Sequence, residues 1–341
     1  MMSFEERKRD HIEISLSSQS QSQVVDGLSR IELIHEALPE LNFSEINLKT
    51  KTLGLDVDTP IFVSSMTLGH SASFEVNEVL AFVCQQKNML MGVGSQRRQL
   101  EDQEAKNECL KLRQKFPKLK VMGNLGLAQV IESPVEQIQG LVDSLEAQAM
   151  IVHTNPLQEC IQPEGTPQFR GGLKALETLC SRLSVPVVLK ETGCGFSQKT
   201  LQRLQEIGLA AVDVSGRGGT HWGRVESQRL SSEHIQYSAG KTFADWGVST
   251  VDSVMAAQAL SLKAEIWASG GVRSGLDVAK LLALGARMVG LAQPFLAAAL
   301  EGEEKLIQLI DQLNYELKVA MFCTGAETVS VLGRGDLWKL I

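Results

Sequence analysis

The chain has 341 residues, a formal net charge of −7 and 43% hydrophobic residues. An acidic chain without a long basic run is not expected to bind nucleic acid or an anionic membrane as its main partner. No apolar run approaches the ~20 residues of a membrane span, and the charged start MMSFEERKRDHIE lacks the apolar segment of a signal peptide. The six cysteines lie far apart, which disfavours a disulfide framework or a structural zinc site. We therefore expect a cytoplasmic protein.

Short apolar runs recur from about residue 60 onward and predict eight buried strands, with amphipathic helical patterns between most of them. Alternating strands and helices favour a parallel sheet, and eight repeats favour its closure as an α/β fold of the (β/α)8 barrel type. An open doubly wound sheet is the alternative, but no G-x-G-x-x-G follows the first strand. The predicted strands are Ile61–Met66, Leu90–Gly94, Lys120–Leu125, Met150–Asn155, Val187–Glu191, Ala211–Ser215, Glu265–Ser269 and Met288–Ala292.

The helical patterns between the strands carry recognisable starts. Ser133-Pro134-Val135-Glu136 predicts a capping box with proline at the first helical position. Ser197 opens a second helix, which carries Leu201, Leu204 and Ile207 on one face and stops at Gly208.

Three segments fall outside the repeat. Residues 1–59 are predicted to be an N-terminal extension that contributes to a substrate site, and residues 60–341 to form the barrel. Within the extension, the serine- and glutamine-rich stretch from Ser15 to Gln23 is typical of a mobile segment. The connection from Thr220 to Ser249 is long enough to be a lid, and the region from Pro294 onward is predicted to be helical.

A glycine-rich turn follows the seventh predicted strand. Gly270-Gly271-Val272-Arg273 leads into a helix predicted over Gly275–Leu284, whose start carries the capping box Ser274-x-x-Asp277. A glycine pair lets the backbone approach an anion, and the N–H groups at a helix start can bind it. The eighth strand ends in small residues, where barrels of this kind often hold phosphate. We interpret this stretch as the phosphate cradle of a cofactor; an ordinary glycine turn is the alternative.

A second glycine-rich loop, Gly216–Thr220, follows the sixth predicted strand. The hydroxyl of Thr220 could bind the same phosphate as the first loop. One glycine-rich loop is weak evidence, but two after successive strands are considerably stronger.

Polar residues follow nearly every predicted strand, which is typical of an active mouth above a packed interior. Lys190 ends the fifth strand and needs either an anionic or electron-rich ligand, such as a flavin ring, or a carboxylate on a neighbouring strand. Glu159 could bind Mg2+ together with substrate phosphates, although a lone glutamate is usually a loop carboxylate. A second anion site is indicated by Arg7, Lys8, His11, Ser95, Arg97, His153 and Asn155. On spacing alone, basic residues such as Arg7 and Lys8 are more often part of a solvent-exposed surface run than of a binding site.

These residues together resemble one enzyme family. The chain is similar over nearly its whole length to the type 2 isopentenyl-diphosphate isomerases, which are FMN-dependent barrel enzymes of isoprenoid synthesis. The most specific signature is His153-x-Asn155-x-x-Gln158-Glu159 with the following Gln162-Pro163-Glu164-Gly165. The sequence departs from the family after the first strand, where Leu68 and His70 flank Gly69. Further matches are Arg7-Lys8-x-x-His11, Met66-Thr67-x-Gly69, Gly94-Ser95-Gln96-Arg97, Asn124-Leu125-Gly126, Lys190-Glu191-x-Gly193-x-Gly195 and Gly218-Gly219-Thr220.

The resemblance implies a role for each matching residue. FMN would be held by Ser65, Met66, Thr67, Ser95, Asn124, Lys190, Ser215, Thr220, Gly271, Val272, Arg273, Ala292 and Gln293. The substrate would be bound by Arg7, Lys8, His11, Ser95, Gln96, Arg97, His153, Asn155 and Gln158, and Glu159 would bind Mg2+. Gln158, His153 and Lys190 would be the catalytic side chains.

The implied reaction shifts the double bond of isopentenyl diphosphate to give dimethylallyl diphosphate. Reduced FMN would serve as acid and base, after reduction by NADPH. The family also implies a homo-oligomer, either a tetramer or an octamer. Gln158 would lie near the reacting carbons without being the acid itself.

Three other functions fit the sequence less well. A 2-hydroxy-acid oxidase carries S-N-H-G-G-R after strand six, whereas this chain has Ser215-Gly216-Arg217-Gly218-Gly219-Thr220, without the histidine base and the carboxylate-binding arginine. An inosine-monophosphate dehydrogenase needs a nucleophilic cysteine, and Cys194 is better explained as a small packed thiol. A non-catalytic flavin-binding barrel would have no use for Arg97, His153, Asn155, Gln158 and Glu159 together.

Overall fold

The computed structural model describes residues 4–23, 27–66 and 71–341, with side chains described from residue 9 and, after the second gap, from residue 74. Its centre is a closed parallel barrel of eight strands, which confirms the predicted (β/α)8 fold. In chain order the strands are β4 (Ile61–Val63), β5 (Leu90–Gly92), β6 (Lys120–Gly126), β7 (Ala149–Thr154), β8 (Val187–Glu191), β9 (Ala211–Asp213), β10 (Glu265–Ser269) and β11 (Met288–Leu291).

Helices cover the outside of the barrel. Their apolar faces are buried against the strands, as expected for strands that lie between two apolar layers. The helices are α1 (Phe4–Leu16), α2 (Ser71–Gln86), α3 (Gln103–Lys115), α4 (Leu127–Glu132), α5 (Val135–Leu145), α6 (Pro156–Ile161), α7 (Gly172–Arg182), α8 (Gln198–Leu204), α9 (Trp222–Gln228), α10 (Ile235–Thr242), α11 (Thr250–Ala259), α12 (Gly275–Ala283), α13 (Gln293–Glu301), α14 (Glu303–Phe322) and α15 (Val329–Leu332). No helix in the described ranges has the length and apolar character needed to cross a membrane.

Several predicted strands run past the observed ones by one to three residues. The predicted first and sixth strands included Ser64–Met66 and Val214–Ser215, which lie beyond the ends of the observed strands at the mouth of the barrel. Ser215 adopts a left-handed backbone with φ 37°, which ends the extended conformation there. Apolar character alone does not show where the chain turns from strand to loop.

Helix starts were predicted with mixed success. The capping box at Ser274 and Asp277 is present, and Ser197 accepts from the N–H of Thr200. The capping box predicted at Ser133 is wrong, because Pro134 is the cap residue and no side-chain oxygen caps α5. The helix after Ser197 ends at Leu204, so Ile207 lies in the following turn.

The N-terminal extension closes the amino end of the barrel. The hairpin of β2 (Thr50–Thr52) and β3 (Leu55–Val57) places Leu53 and Leu55 against the apolar interior cluster. Glu265 ties this hairpin to the barrel, since its carboxylate accepts from the hydroxyl of Thr52, the N–H of Leu53 and the indole of Trp267. We call Thr52, Leu53, Glu265 and Trp267 the floor.

The extension and the barrel also share a core. Leu28 and Ile31 are buried in the same cluster as the barrel helices, and β1 (Ile31–Leu33) pairs with β12 (Trp338–Leu340). The division at residue 59 therefore stays a prediction. The 220–249 connection is folded, since it contains α9 and α10, and its role as a lid also stays a prediction.

Candidate active site

Two adjoining cavities open at the carboxyl end of the barrel. The substrate-side cavity lies over β5 to β8, and the cofactor-side cavity lies over β8 to β11 and β4. Their shared wall contains Ser65, Lys190, Thr192 and Trp222. The arrangement allows two ligands to meet across Lys190.

The cofactor-side cavity is a cleft that is partly open to solvent. Its wall brings together two glycine loops that are far apart in the sequence, after β9 and after β10. Gly270 and Gly271 have φ of 100° and 86°, a conformation that glycine adopts at little cost. Of the predicted FMN residues, Ser65, Lys190, Ser215, Thr220, Gly271, Val272, Arg273, Ala292 and Gln293 line it.

The two glycine loops touch. A Cβ added to Gly219 would lie 2.8 Å from the backbone nitrogen of Gly271, so an alanine would push apart the loops that form the cradle. We expect Gly219→Ala to weaken FMN binding about tenfold, the effect of misplacing one or two hydrogen bonds to a charged group. Fluorescence titration with FMN measures it.

Gly140→Ala is the matched control for that substitution. Gly140 lies in α5, and an added Cβ meets no atom within 4 Å. The control should bind FMN as the unsubstituted protein does and be slightly more stable, because alanine favours a helix. Unchanged FMN affinity in Gly219→Ala would contradict the close approach.

Lys190 is held from the neighbouring strand. Its ammonium lies 3.4 Å from Oδ2 of Asp213, with which it is in register, and donates to the carbonyl of Glu191 at 2.8 Å. Asp213 is 1% exposed and accepts from the hydroxyl of Ser269 at 2.8 Å. The ion pair with a carboxylate on a neighbouring strand, the alternative to a flavin role, is thus present. Lys190 still lines both cavities, so the two roles are compatible.

A carboxylate not singled out in the sequence lies behind Lys190. One oxygen of Glu191 accepts from the N–H groups of Thr192, Cys194 and Gly195. Burial raises the pKa of Glu191 to about 7. These hydrogen bonds and the charge of Lys190 lower the pKa, but burial has the larger effect. Glu191 thereby shapes the loop at the shared wall.

The substrate-side cavity is lined by polar side chains from three strand ends. His153 Nδ1 lies 2.8 Å from Oδ1 of Asn124, and Asn155 donates to Gln158 at 3.0 Å and to Glu159 at 2.9 Å. Ser95, Met66 and Asn124, which were predicted to bind FMN, line this side rather than the cofactor side. Among the predicted substrate residues, His11, Ser95, Arg97, His153, Asn155 and Gln158 line it, as does Glu159.

One predicted substrate residue in the described part of the chain, Gln96, does not line this cavity. Gln96 is fully buried and supports Asn124 from behind, accepting from its N–H at 3.0 Å. The side chains of Arg7 and Lys8 lie outside the described residues, as does the whole of Thr67, and so do Leu68 and His70. Their assignments stay predictions.

Glu226 in α9 is the main residue that sequence reasoning missed. Its buried carboxylate lies 3.0 Å from Nε2 of His11, accepts from Gln158 at 2.8 Å and pairs with Arg229. Burial alone would raise the pKa of Glu226, but the hydrogen bond and charge of His11, with the charge of Arg229, lower it to about 2. Glu226 is therefore ionised over the whole physiological range. It joins α1, α6 and α9 around the substrate-side cavity.

Glu159 is 9% exposed, and both of its oxygens accept hydrogen bonds, one from Asn155 and one from the N–H of Thr166. Each oxygen keeps a second lone pair. Among the described residues there is no group of three His, Cys, Asp or Glu side chains that could hold a metal. A cation at Glu159 would therefore take most of its ligands from substrate and water, as Mg2+ often does.

The structure gives no support to the two rival enzyme reactions, those of a 2-hydroxy-acid oxidase and an inosine-monophosphate dehydrogenase. Arg217 donates to the carbonyl of Asp245 at 2.7 Å and lines neither cavity. Burial raises the pKa of the Cys194 thiol far above its ordinary value, so it is not a ready nucleophile.

Comparison with known proteins decides the family. A protein named isopentenyl-diphosphate delta-isomerase from Bdellovibrio bacteriovorus is 52% identical over 333 residues, 96% of each chain. Proteins of the same name from Legionella pneumophila strain Corby and Archaeoglobus fulgidus are 50% and 40% identical over 96% and 97% of this chain, and 96% and 94% of theirs. The chain belongs to the isopentenyl-diphosphate delta-isomerase family.

Broader comparisons agree with this. The FMN-dependent dehydrogenase family matches residues 111–339. Among solved structures, flavocytochrome b2 with benzoylformate has a TM-score of 0.69 at 20% identity, covering 96% of this chain and 79% of its own. A mandelate oxidase variant has a TM-score of 0.66 at 18% identity, covering 98% and 99%. At such identities these structures share the fold alone.

Proposed function

We propose that this protein converts isopentenyl diphosphate to dimethylallyl diphosphate, with FMN as cofactor and Mg2+ on the diphosphate. The observation that carries the proposal is the pair of cavities that share Lys190. One has the glycine loops suited to a cofactor phosphate, and the other has polar groups suited to a second ligand.

The cofactor side fits FMN. Ser64 and Ser65 have buried hydroxyl oxygens without a hydrogen-bond partner in the part of the chain that the structure describes, and both residues line this cavity. The loop that holds Thr220 and the loop that holds Gly271 and Arg273 would take the phosphate, and Lys190 would face the flavin ring. When bound and reduced, FMN supplies proton transfer that ordinary side chains cannot offer to an unactivated alkene.

The substrate side fits a diphosphate. Arg97 is exposed at its rim, and Ser95, His153 and Asn155 lie along its wall. Arginine can donate two parallel hydrogen bonds to a phosphate, and the amide and hydroxyl groups add neutral donors. Gln158, held by Glu226, would face the reacting carbons, and the apolar ring of Trp222 would exclude water. We infer that these residues bind and orient the substrate.

Glu159 would hold Mg2+ with the diphosphate. We expect Glu159→Gln to raise the Mg2+ concentration needed for half-maximal activity at least about tenfold, because a neutral amide is a weaker ligand for a hard cation. Assays across a Mg2+ series measure this. The matched control is Glu164→Gln, whose carboxylate is part-exposed and pairs with Arg229 instead. An unchanged Mg2+ requirement in Glu159→Gln would remove Glu159 from the metal site.

The resemblance supports three further proposals. NADPH would reduce the flavin, the chain would form a homo-oligomer of four or eight copies, and the protein would work in the cytoplasm on a small diphosphate, without nucleic acid or membrane partners. Light scattering of the purified protein tests the oligomer. Anaerobic titration with NADPH and NADH, followed by flavin absorbance, tests the reductant.

The decisive experiment combines protein, FMN, NADPH, Mg2+ and isopentenyl diphosphate under anaerobic conditions in D2O. Proton NMR should show dimethylallyl diphosphate with deuterium in its new methyl group, without stoichiometric NADPH consumption. If flavin is bound and reduced but no product forms, the proposed isomerase activity is wrong.

A further inference from the structure

The polar stretch from Ser15 to Gln23 contacts Gly219 and Thr220, which line the cofactor-side cavity. A short 3-10 helix covers Ser18–Ser20, and Ser20 is fully buried. The carbonyl of Ser20 accepts from the N–H of His221 at 2.9 Å, and the N–H of Ser22 donates to the carbonyl of Gly219 at 2.8 Å. The structure thus gives a defined place to a stretch whose composition is typical of mobility.

The side chain of Gln21 reaches the phosphate cradle. Its backbone forms a bridge with Thr220, and its side-chain Nε2 donates to the hydroxyl oxygen of Thr220 at 3.1 Å. Its Oε1 accepts from Nη2 of Arg273 at 2.7 Å. Thr220 lies after β9 and Arg273 after β10, so one amide joins the two loops of the cradle.

The chemistry of an amide suits this position. Because the oxygen of Thr220 accepts from Gln21, the hydroxyl hydrogen remains available to donate to an anion. Because the amide is neutral, it fixes the guanidinium of Arg273 without cancelling its positive charge. A carboxylate at the same place would hold Arg273 as well but would repel a phosphate.

We propose that Gln21 is a positioning residue for the cofactor phosphate, which orients Thr220 and Arg273 toward it. This rests on the proposed function in taking FMN as the cofactor. Nε2 of Gln21 also donates to the carbonyl of Ser15 at 3.0 Å, at the end of the helix that carries His11. Gln21 thereby links the cradle to the helix that carries a predicted substrate residue.

The test compares FMN with riboflavin, which has the same ring but no phosphate. We expect Gln21→Ala to weaken FMN binding about tenfold, the effect of losing a hydrogen bond to a charged group. Gln21→Glu should weaken it further and stay folded, because the new carboxylate can pair with Arg273. Riboflavin affinity should be unchanged in both variants, and Gln19→Ala, an exposed residue of the same stretch, should bind both flavins normally.

Each other outcome overturns the proposal. If Gln21→Ala weakens FMN and riboflavin equally, Gln21 acts through the general fold and not through the phosphate. If Gln21→Glu binds FMN as tightly as the unsubstituted protein does, the amide is not needed there. If the unsubstituted protein binds no FMN, the proposed function is wrong, and so is the role of Gln21. If only the variants behave otherwise than expected, the role of Gln21 alone is wrong.

Discussion

Glu226→Gln should lower the free energy of unfolding by about 3 kcal/mol at pH 7, because a depressed pKa in the folded state is itself a stabilising contribution. The pKa of Glu226 is lowered from 4.5 to about 2. The contribution is therefore present above pH 4.5 and is lost as the pH falls toward 2. The difference between the two proteins should shrink to about half of that value at pH 3. Urea denaturation at several pH values measures it.

The same residue should matter for catalysis. Glu226→Ala removes the acceptor that orients Gln158 and His11, and we expect it to lower kcat/KM at least about 100-fold, the effect of misplacing reacting groups by about 1 Å. Glu226→Gln keeps an acceptor oxygen and should lose less. Glu164→Gln, which changes only the outer partner of Arg229, should stay near full activity. For the stability measurement, a difference between Glu226→Gln and the unsubstituted protein that does not change with pH would contradict the ionised, buried state of Glu226.

Asp213→Asn should lower the free energy of unfolding by about 3 kcal/mol, because it leaves the ammonium of Lys190 buried without its carboxylate partner. Lys190→Met with Asp213→Asn should recover at least about half of that loss, since no charge is then stranded. Lys190→Met alone should lower the rate of isomerisation at least about 100-fold, the usual effect of removing a group that stabilises charge. The double variant also lacks the ammonium of Lys190, so its recovered stability should not restore activity.

Lys263→Met is the control for this pair. Lys263 forms an ion pair with Glu206 in which both side chains are more than 80% exposed, so its loss should change stability by less than about 0.5 kcal/mol. If the double variant Lys190→Met with Asp213→Asn is no more stable than Asp213→Asn alone, the loss in Asp213→Asn does not come from the buried ion pair.

The barrel could be predicted from the sequence because its signal is local. Each strand is a short apolar run bounded by turn residues, and the carboxyl ends of eight parallel strands must meet at one mouth. Lys190, His153 and Arg273 could therefore be assigned to that mouth from their positions after strands. The order of the strands and the closure follow from the repeat itself.

The residues that escaped prediction depend on distant partners. Glu226 lies within an ordinary helix, and only the fold brings it to His11, which is 215 residues earlier. Gln21 lies in a run of serine and glutamine residues, where nothing local indicates Thr220 or Arg273 as partners. Gln96 shows the converse, because it belongs to a family motif at a strand end but turns inward to support Asn124.

The floor separates the demands of stability from those of catalysis. Glu265 starts β10 and Thr52 lies in the hairpin at the amino end of the barrel, whereas Lys190 lies near the carboxyl end of β8. The hydrogen bond between Glu265 and Thr52 ties the hairpin to the barrel. Effects of substitutions at sites so far apart usually add. Protein engineers could therefore strengthen the floor first, and then use the added stability to tolerate costly changes at the mouth that alter which diphosphates are accepted.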